Sequence, residues 1–152
     1  MPFEFPGKPG AWTALHEVTD AGLLADGVLW MLGEPRCANR AFNVTNGDCF
    51  RWCDLWPFLA EQFGLRAGVV RSMPLKHWMA DKAPVWEAIR RRRDLVLPIE
   101  HVASWDFADF FFGIDYDVLS SMTAARTAGF AGFVDSWSMF AGYRAAGVLP
   151  AA

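Results

Sequence analysis

None of the thirteen glycines in this chain falls into a G-x-G-x-x-G or G-x-x-G-x-x-G pattern. Dinucleotide binding at a strand–turn–helix needs such a turn, because only glycine lets backbone approach a pyrophosphate at a helix N-terminus. The pair Gly129-x-x-Gly132 reads as a cap and a turn. There is no basic excess: the net charge is −3 and the pI near 5.5, which excludes a broad field for nucleic acid or an anionic membrane. No apolar run approaches the ~20 residues of a membrane span. Residues 21–32 come nearest but contain Asp26, and Asp109 and Asp115 bracket the other candidate. Cysteine is scarce and odd in number (Cys37, Cys49, Cys53), so the three cannot all pair within the chain. The opening MPFEFPGKPG lacks the apolar core of a signal peptide, and together these point to a reducing cytoplasm.

Hydrophobic residues are plentiful, at 53%, with eight Trp among them. That is rich for a free-standing domain of this size and rules out disorder. Either the core is dense or one face is covered by another domain. A length of 152 residues fits a single domain.

The most informative stretch is residues 41–64, AFNVTNGDCFRWCDLWPFLAEQFG. Residues 41–45 form a β-type run, Asn46-Gly47-Asp48 a turn, and the remainder an aromatic helix. Trp52, Leu55, Trp56, Leu59 and Phe63 recur at three- and four-residue steps and share one face. Pro57 predicts a kink or a late helix start. Elsewhere, residues 1–11 read as an extended Pro/Gly-rich lead and 12–18 as a short strand. A helix over 21–32 is capped by Thr19 or Asp20, with Leu23, Leu24, Val28 and Met31 on its apolar side. A strand is expected at 68–71 and a helical turn at 75–79. A helix starting near Pro84 turns Val85, Trp86 and Ile89 inward and closes on Arg90–Arg93. Further helices are expected over 100–112, over 123–128 with Gly129 as a left-handed cap, and from 136 to about 147. A strand is expected at 118–120. The composite is α+β, mainly helical with a few short strands.

Several clusters admit chemistry, and for most of them packing is the stronger reading. Cys49 and Cys53 are one weak pair with no second ligand pair, His77 and His101 included, so thiol packing is preferred to zinc. Asp106, Asp109, Asp115 and Asp117 sit beside Phe107 and Phe110–Phe112, as a solvated face with turn and cap roles would. Arg90–Arg93 read as a solvated helix end. The tryptophans at 52, 56 and 86 read as core.

The blocks PFEFPGKPGAW, VTDAGLLADGVLWM, AFNVTNGDCFRWCDLWPFLAEQFG, PVWEAI, WDFADFFFG, SSMTAARTAGFAGF and YRAAGVLP occur in order. In this order they resemble the C-terminal part of the progesterone 5β-reductase / iridoid synthase-like group of short-chain dehydrogenases. Those enzymes are extended Rossmann-fold (α/β) proteins dependent on NADP(H). The resemblance implies that residues 1–152 are the substrate-side portion of such an enzyme, with the dinucleotide-binding half expected before Met1. It implies reduction of an activated C=C or C=O in a small apolar substrate, with NADP(H) bound by the complete enzyme and not by this chain alone. The catalytic Tyr and Lys of the group have no counterpart here. The only tyrosines, Tyr116 and Tyr143, have Ser120 and Gly147 four residues on. Within WDFADFFFG, Phe107 matches a position that lines the apolar substrate cleft, with ordinary core as the competing reading, and Trp105 is the second candidate. Ser120 and Ala124 replace Asp and Lys of many relatives, which implies the loss of a charged pair or cap, and Arg51 stands where a capping hydroxyl is common. The implied partners are the substrate and the missing Rossmann half or another subunit. The rival reading is a non-catalytic domain that binds an apolar ligand or a partner.

Overall fold

A computed structural model describes residues 2–145 of the chain. The chain starts with strand β1 (Phe3–Phe5), the one-turn helix α1 (Pro9–Thr13) and strand β2 (Leu15–His16). Helix α2 (Ala21–Gly33) begins at Asp20, whose carboxylate accepts a hydrogen bond from the Leu23 amide at 3.0 Å. A 3-10 turn (Pro35–Cys37) leads through an extended stretch to β3 (Phe50–Arg51) and helix α3 (Trp52–Gln62). Then follow β4 (Ala67–Val70), α4 (Leu75–Met79), α5 (Ala83–Arg93), a 3-10 turn (Ile99–His101), α6 (Trp105–Phe112), α7 (Thr123–Thr127) and α8 (Ser136–Ala145). β1 pairs with β4 in parallel, and β2 with β3 in antiparallel register, Leu15 opposite Arg51. The architecture is α+β, mainly helical, as the residue pattern predicts.

Two hydrophobic clusters hold the fold. The first gathers Phe5, Ala11, Phe50, Trp52, Leu55 and Trp56, with Phe112 and Phe140 against them. The helical spacing of residues 52–59 is what delivers three of these side chains to one side of α3. Trp56 stacks on Phe3 (centroids 4.3 Å apart, planes 4° apart) and donates through Nε1 to the Phe3 carbonyl at 2.8 Å. One side chain thus ties β1 to α3 by both area and a hydrogen bond. Pro57 neither breaks α3 nor delays its start. The second cluster is Leu23, Met122, Ala125 and Phe130, with Trp30, Phe42, Val44 and Val134 around it.

A polar hub joins the two. Asn46 is fully buried. Its amide donates to the Val18 carbonyl (2.9 Å), its carbonyl accepts from Val134 (3.0 Å), and Oδ1 accepts from the Asp20 amide (2.6 Å). Nδ2 donates to Ser136 Oγ at 3.0 Å, and that hydroxyl donates in turn to Asp48 at 2.6 Å. Gly47 between them has φ +96°, and a Cβ there would lie 2.9 Å from the Arg126 guanidinium and the Phe133 ring. The Asn-Gly-Asp turn is therefore where the chain from α2, the start of α8 and the 41–45 run meet.

Several sequence expectations are corrected. Residues 12–18 are not one strand, because Pro9 starts α1 and only Leu15–His16 pair. Residues 100–112 are not one helix: Ser104 caps α6 by accepting from the Phe107 amide at 3.3 Å, so the helix begins at Trp105. Residues 118–120 form no ladder; one amide bond to Leu15 and one to the Glu17 carboxylate hold them. Val85 and Ile89 are exposed and Trp86 is only half-buried, because α5 rests on the 3-10 turn after it and has no layer beneath. Leu24 and Val28 of α2 are exposed as well. The expected end of the last helix near Gly147, and the YRAAGVLP block beyond residue 145, lie outside the described residues.

Candidate functional site: an aromatic concavity

An open concavity of about 820 Å³ lies between α6, the start of α3 and the 41–45 run. Val18, Trp52, Phe107, Phe111, Val118 and Phe140 give it an apolar wall, and Leu24, Met31, Phe42 and Val44 continue the wall toward α2. Phe107 is 63% exposed and lies flat against Phe111, one helical turn on (centroids 6.1 Å, planes 9° apart). The Ser104 cap fixes the first turn of α6 and with it the direction of Phe107. Trp105 is half-buried at the first position of α6 and is not among the residues lining the concavity.

Four of the five polar side chains of the lining are already engaged, the Ser120 hydroxyl being the exception among the described residues. Thr19 donates to the Val44 carbonyl (3.0 Å), Asn43 to the Ser121 carbonyl (3.2 Å) and Thr45 to Met122 Sδ (3.3 Å), while Glu17 accepts from the Ser120 amide (2.9 Å). The wall can bury a flat hydrophobic body. Ser120, where the family resemblance implies a missing charged partner, is held instead by Glu17.

Sequence reading missed His16. It is fully buried, and its Nε2 lies 3.1 Å from the Ala11 carbonyl, so that nitrogen carries the proton and donates. Its ring sits 6.0 Å from Trp52 and 5.7 Å from Phe111, directly behind the wall. A lone histidine in a two-residue strand carries no periodic signal. Tyr143 was set aside as non-catalytic; its hydroxyl donates to Asp20 Oδ2 at 3.2 Å, and burial followed by the Asp20 charge pushes its pKa up.

The four aspartates do structural work. Asp109 accepts from the Leu75 and Lys76 amides (2.5 and 3.0 Å) and so caps α4, and Asp106 pairs with Lys76. Asp115 pairs with Lys8, and Asp117 accepts from the Leu15 amide at 2.8 Å. Arg90 and Arg91 both pair with Glu87, which holds that carboxyl down at about 2. Arg51 occupies the N-cap position of α3 without capping it, and its guanidinium reaches the Thr13 carbonyl. Cys37 is buried, Cys49 exposed, and Cys53 half-buried with its thiol pKa raised by burial and then by Asp54. Among the described residues no group of three His, Cys, Asp or Glu side chains could hold a metal ion. No helix there is long and apolar enough to cross a membrane.

A mostly helical module with an aromatic concavity and, among the described residues, no phosphate-binding turn is consistent in class with the C-terminal part of an extended short-chain dehydrogenase/reductase. Within that class, the chain is similar over about nine tenths of its length to the progesterone 5β-reductase / iridoid synthase-like group, as a C-terminal fragment of such an enzyme is. It is 39% identical over 140 residues to an (S)-8-oxocitronellyl enol synthase of Nepeta racemosa, covering 90% of this chain and 36% of that protein. It is 39% identical over 137 residues to the (S)-8-oxocitronellyl enol synthase of Camptotheca acuminata, covering 87% and 35%. It is 35% identical over 143 residues to the 3-oxo-Delta(4,5)-steroid 5-beta-reductase of Arabidopsis thaliana, covering 91% and 37%. The chain therefore spans little more than a third of the length of the curated relatives it matches. No protein-family model matches the chain.

Proposed function

We propose that this chain forms the substrate-side wall of an NADP(H)-dependent reductase acting on an activated C=C or C=O in a small apolar molecule. The observation that carries the reading is the aromatic concavity with Phe107 standing exposed on it. An apolar wall with few polar groups suits a flat hydrophobic enone, and the steroid named for the Arabidopsis relative has an alkene conjugated to a ketone. Phe107 at 63% exposure supports the cleft role over a core role. Trp105 is a secondary candidate at the same helix start.

The described residues of this chain do not fit a dinucleotide. The two glycines nearest a phosphate-loop spacing, Gly129 and Gly132, are crowded by Arg36, Phe130 and Leu23, and no strand leads into them. NADP(H), and the Tyr and Lys that the family resemblance implies, belong to the part of a full-length reductase outside the matched segment. Here the wall orients the substrate and excludes water.

The test is a titration of a 3-oxo-Δ4 steroid into the chain, read by tryptophan fluorescence through Trp52. Saturable quenching is expected, and Phe107→Ala should weaken it roughly fivefold, about 1 kcal/mol. No saturable binding, or binding indifferent to Phe107, would remove the basis for the proposal. NADPH titrated into the chain alone should not bind; a low-micromolar dissociation constant would contradict the cofactor assignment.

A further inference from the structure

Buried polar atoms in folded proteins have hydrogen-bond partners, and an exception marks strain, a reactive group or a place for a water or ligand atom. Among the described residues two buried side-chain nitrogens lack a partner in the protein: His16 Nδ1 and Trp52 Nε1. They are neighbours. β2 pairs with β3 so that His16 stands opposite Phe50, and Trp52 follows two residues later at the first position of α3. The His16 and Trp52 rings lie 6.0 Å apart, centroid to centroid, with their planes at 49°. His16 is fully buried and Trp52 is 5% exposed.

The chemistry of the two nitrogens is complementary. His16 Nε2 donates to the Ala11 carbonyl at 3.1 Å, so in the neutral ring Nδ1 keeps a lone pair and accepts. The indole nitrogen of Trp52 can only donate. One oxygen between them meets both needs, accepting from Trp52 and donating to His16. Two such bonds of about 2.9 Å laid end to end span up to about 5.8 Å, close to the separation of the rings. That oxygen must carry a hydrogen, which selects water or an alcohol over a ketone or an ether. The pair stands one side chain behind the concavity. Trp52 and Phe111 belong to its wall, and the Phe111 ring lies 5.7 Å from His16 and 5.8 Å from Trp52.

We infer that His16 Nδ1 and Trp52 Nε1 together hold one hydroxyl oxygen, supplied by a buried water or, when Phe111 turns aside, by an alcohol group of the bound substrate. The second source rests on the proposed function; the first does not. An apolar wall alone sorts molecules by shape. This pair adds a rule of substrate class: an enone with a hydroxyl at its far end binds more tightly than its ketone counterpart. The ketone satisfies Trp52 but leaves His16 without a donor, and a buried polar atom left unpaired is costly.

Two measurements on the whole chain test the inference. The first is equilibrium dialysis with testosterone, which carries a hydroxyl at the end far from its enone, and with androstenedione, which carries a ketone there. The second is nuclear magnetic resonance of the nitrogen-labelled chain, with the Trp52 indole signal assigned by its loss in Trp52→Phe. A preference for testosterone of at least about tenfold is expected if the substrate supplies the oxygen, falling to about one in His16→Phe and in Trp52→Phe. If water supplies it, no such preference appears, and the Trp52 indole proton shows a cross-peak to water that His16→Phe removes. That cross-peak without any steroid binding supports the inference and counts against the proposed function alone. Neither a His16-dependent preference nor a water contact overturns the inference. So does an indole proton shifted strongly upfield, which would place an aromatic face where the oxygen should be. So does a His16 ring protonated on Nδ1 in place of Nε2. These last two outcomes are read from the parent chain, so they decide the matter even if both variants fail to fold.

Discussion

Two helical regions that each carry two tryptophans behave differently. Around α3, Trp52 and Trp56 are buried with Phe5 and Leu55. In α4, α5 and the 3-10 turn at Ile99–His101, no residue is buried, although Trp78, Val85, Trp86 and Ile89 lie there. The difference lies in what each helix has to lean on. α3 lies against β1 and α1 on one side and α8 on another, so every apolar step finds a partner. α4 leans mainly on α6, through the Asp109 cap and the Lys76–Asp106 pair, and α5 leans on its own exit turn, where Trp86 Nε1 donates to the Leu97 carbonyl at 3.0 Å. Burial follows the supply of layers, and aromatic content alone does not create it.

The contrast should show first in core truncations. Leu55→Ala, at a fully buried position, should cost about 3–5 kcal/mol in urea unfolding, whereas Trp78→Ala on exposed α4 should cost under about 1 kcal/mol. Comparable losses would mean that the outer module has a core of its own. Asn46→Ala comes next. It strips the side-chain bonds to Asp20 and Ser136 from a buried position and should cost about 2–3 kcal/mol, with α2 and α8 loosening together by amide exchange. A loss confined to one of those helices would show that Asn46 is not the hub. Val85→Ala should stay within about 0.5 kcal/mol of the parent, and a larger effect would put a hidden contact beneath α5.

The smallest effect is electrostatic. Arg90 and then Arg91 hold Glu87 at about 2, below its ordinary 4.5. A carboxyl lowered on folding favours the folded form above its unfolded pKa and loses that advantage as pH falls toward the folded one. Amide exchange in α5, corrected for the intrinsic rate, should therefore quicken as pH drops from about 4.5 to about 2. Glu87→Gln should remove the dependence. Identical pH profiles for the two proteins would show that the pair is too solvent-screened to matter.

The sequence showed the helices that carry strong local signals: α2 through Asp20, α3 through its three- and four-residue aromatic steps, and α7 through Gly129. It did not show Ser104 as a stop-and-start signal, because a serine in a mixed stretch competes with the apolar spacing around it. It mistook the inner face of α5, since periodicity says which side is apolar but not whether a layer lies against it. For the site, Phe107 was found only through family resemblance. His16 and the neighbours that make the concavity, Val18, Val118 and Phe140, come together across 124 residues of chain, and no local pattern brings them together.

The arrangement around α3 also sets the order in which the protein can be made. Its first core needs Phe112, Trp137 and Phe140, and the Asn46–Ser136 bond closes a loop of 90 residues. At about 5–20 residues per second of synthesis, the 78 residues from Gln62 to Phe140 take roughly 4–16 s to appear. Throughout that interval the tryptophan face of α3 is complete but has only its N-terminal partners. High contact order of this kind slows closure and lengthens the exposure of apolar surface. Apolar surface left uncovered for that long is aggregation-prone until α8 emerges and closes over it.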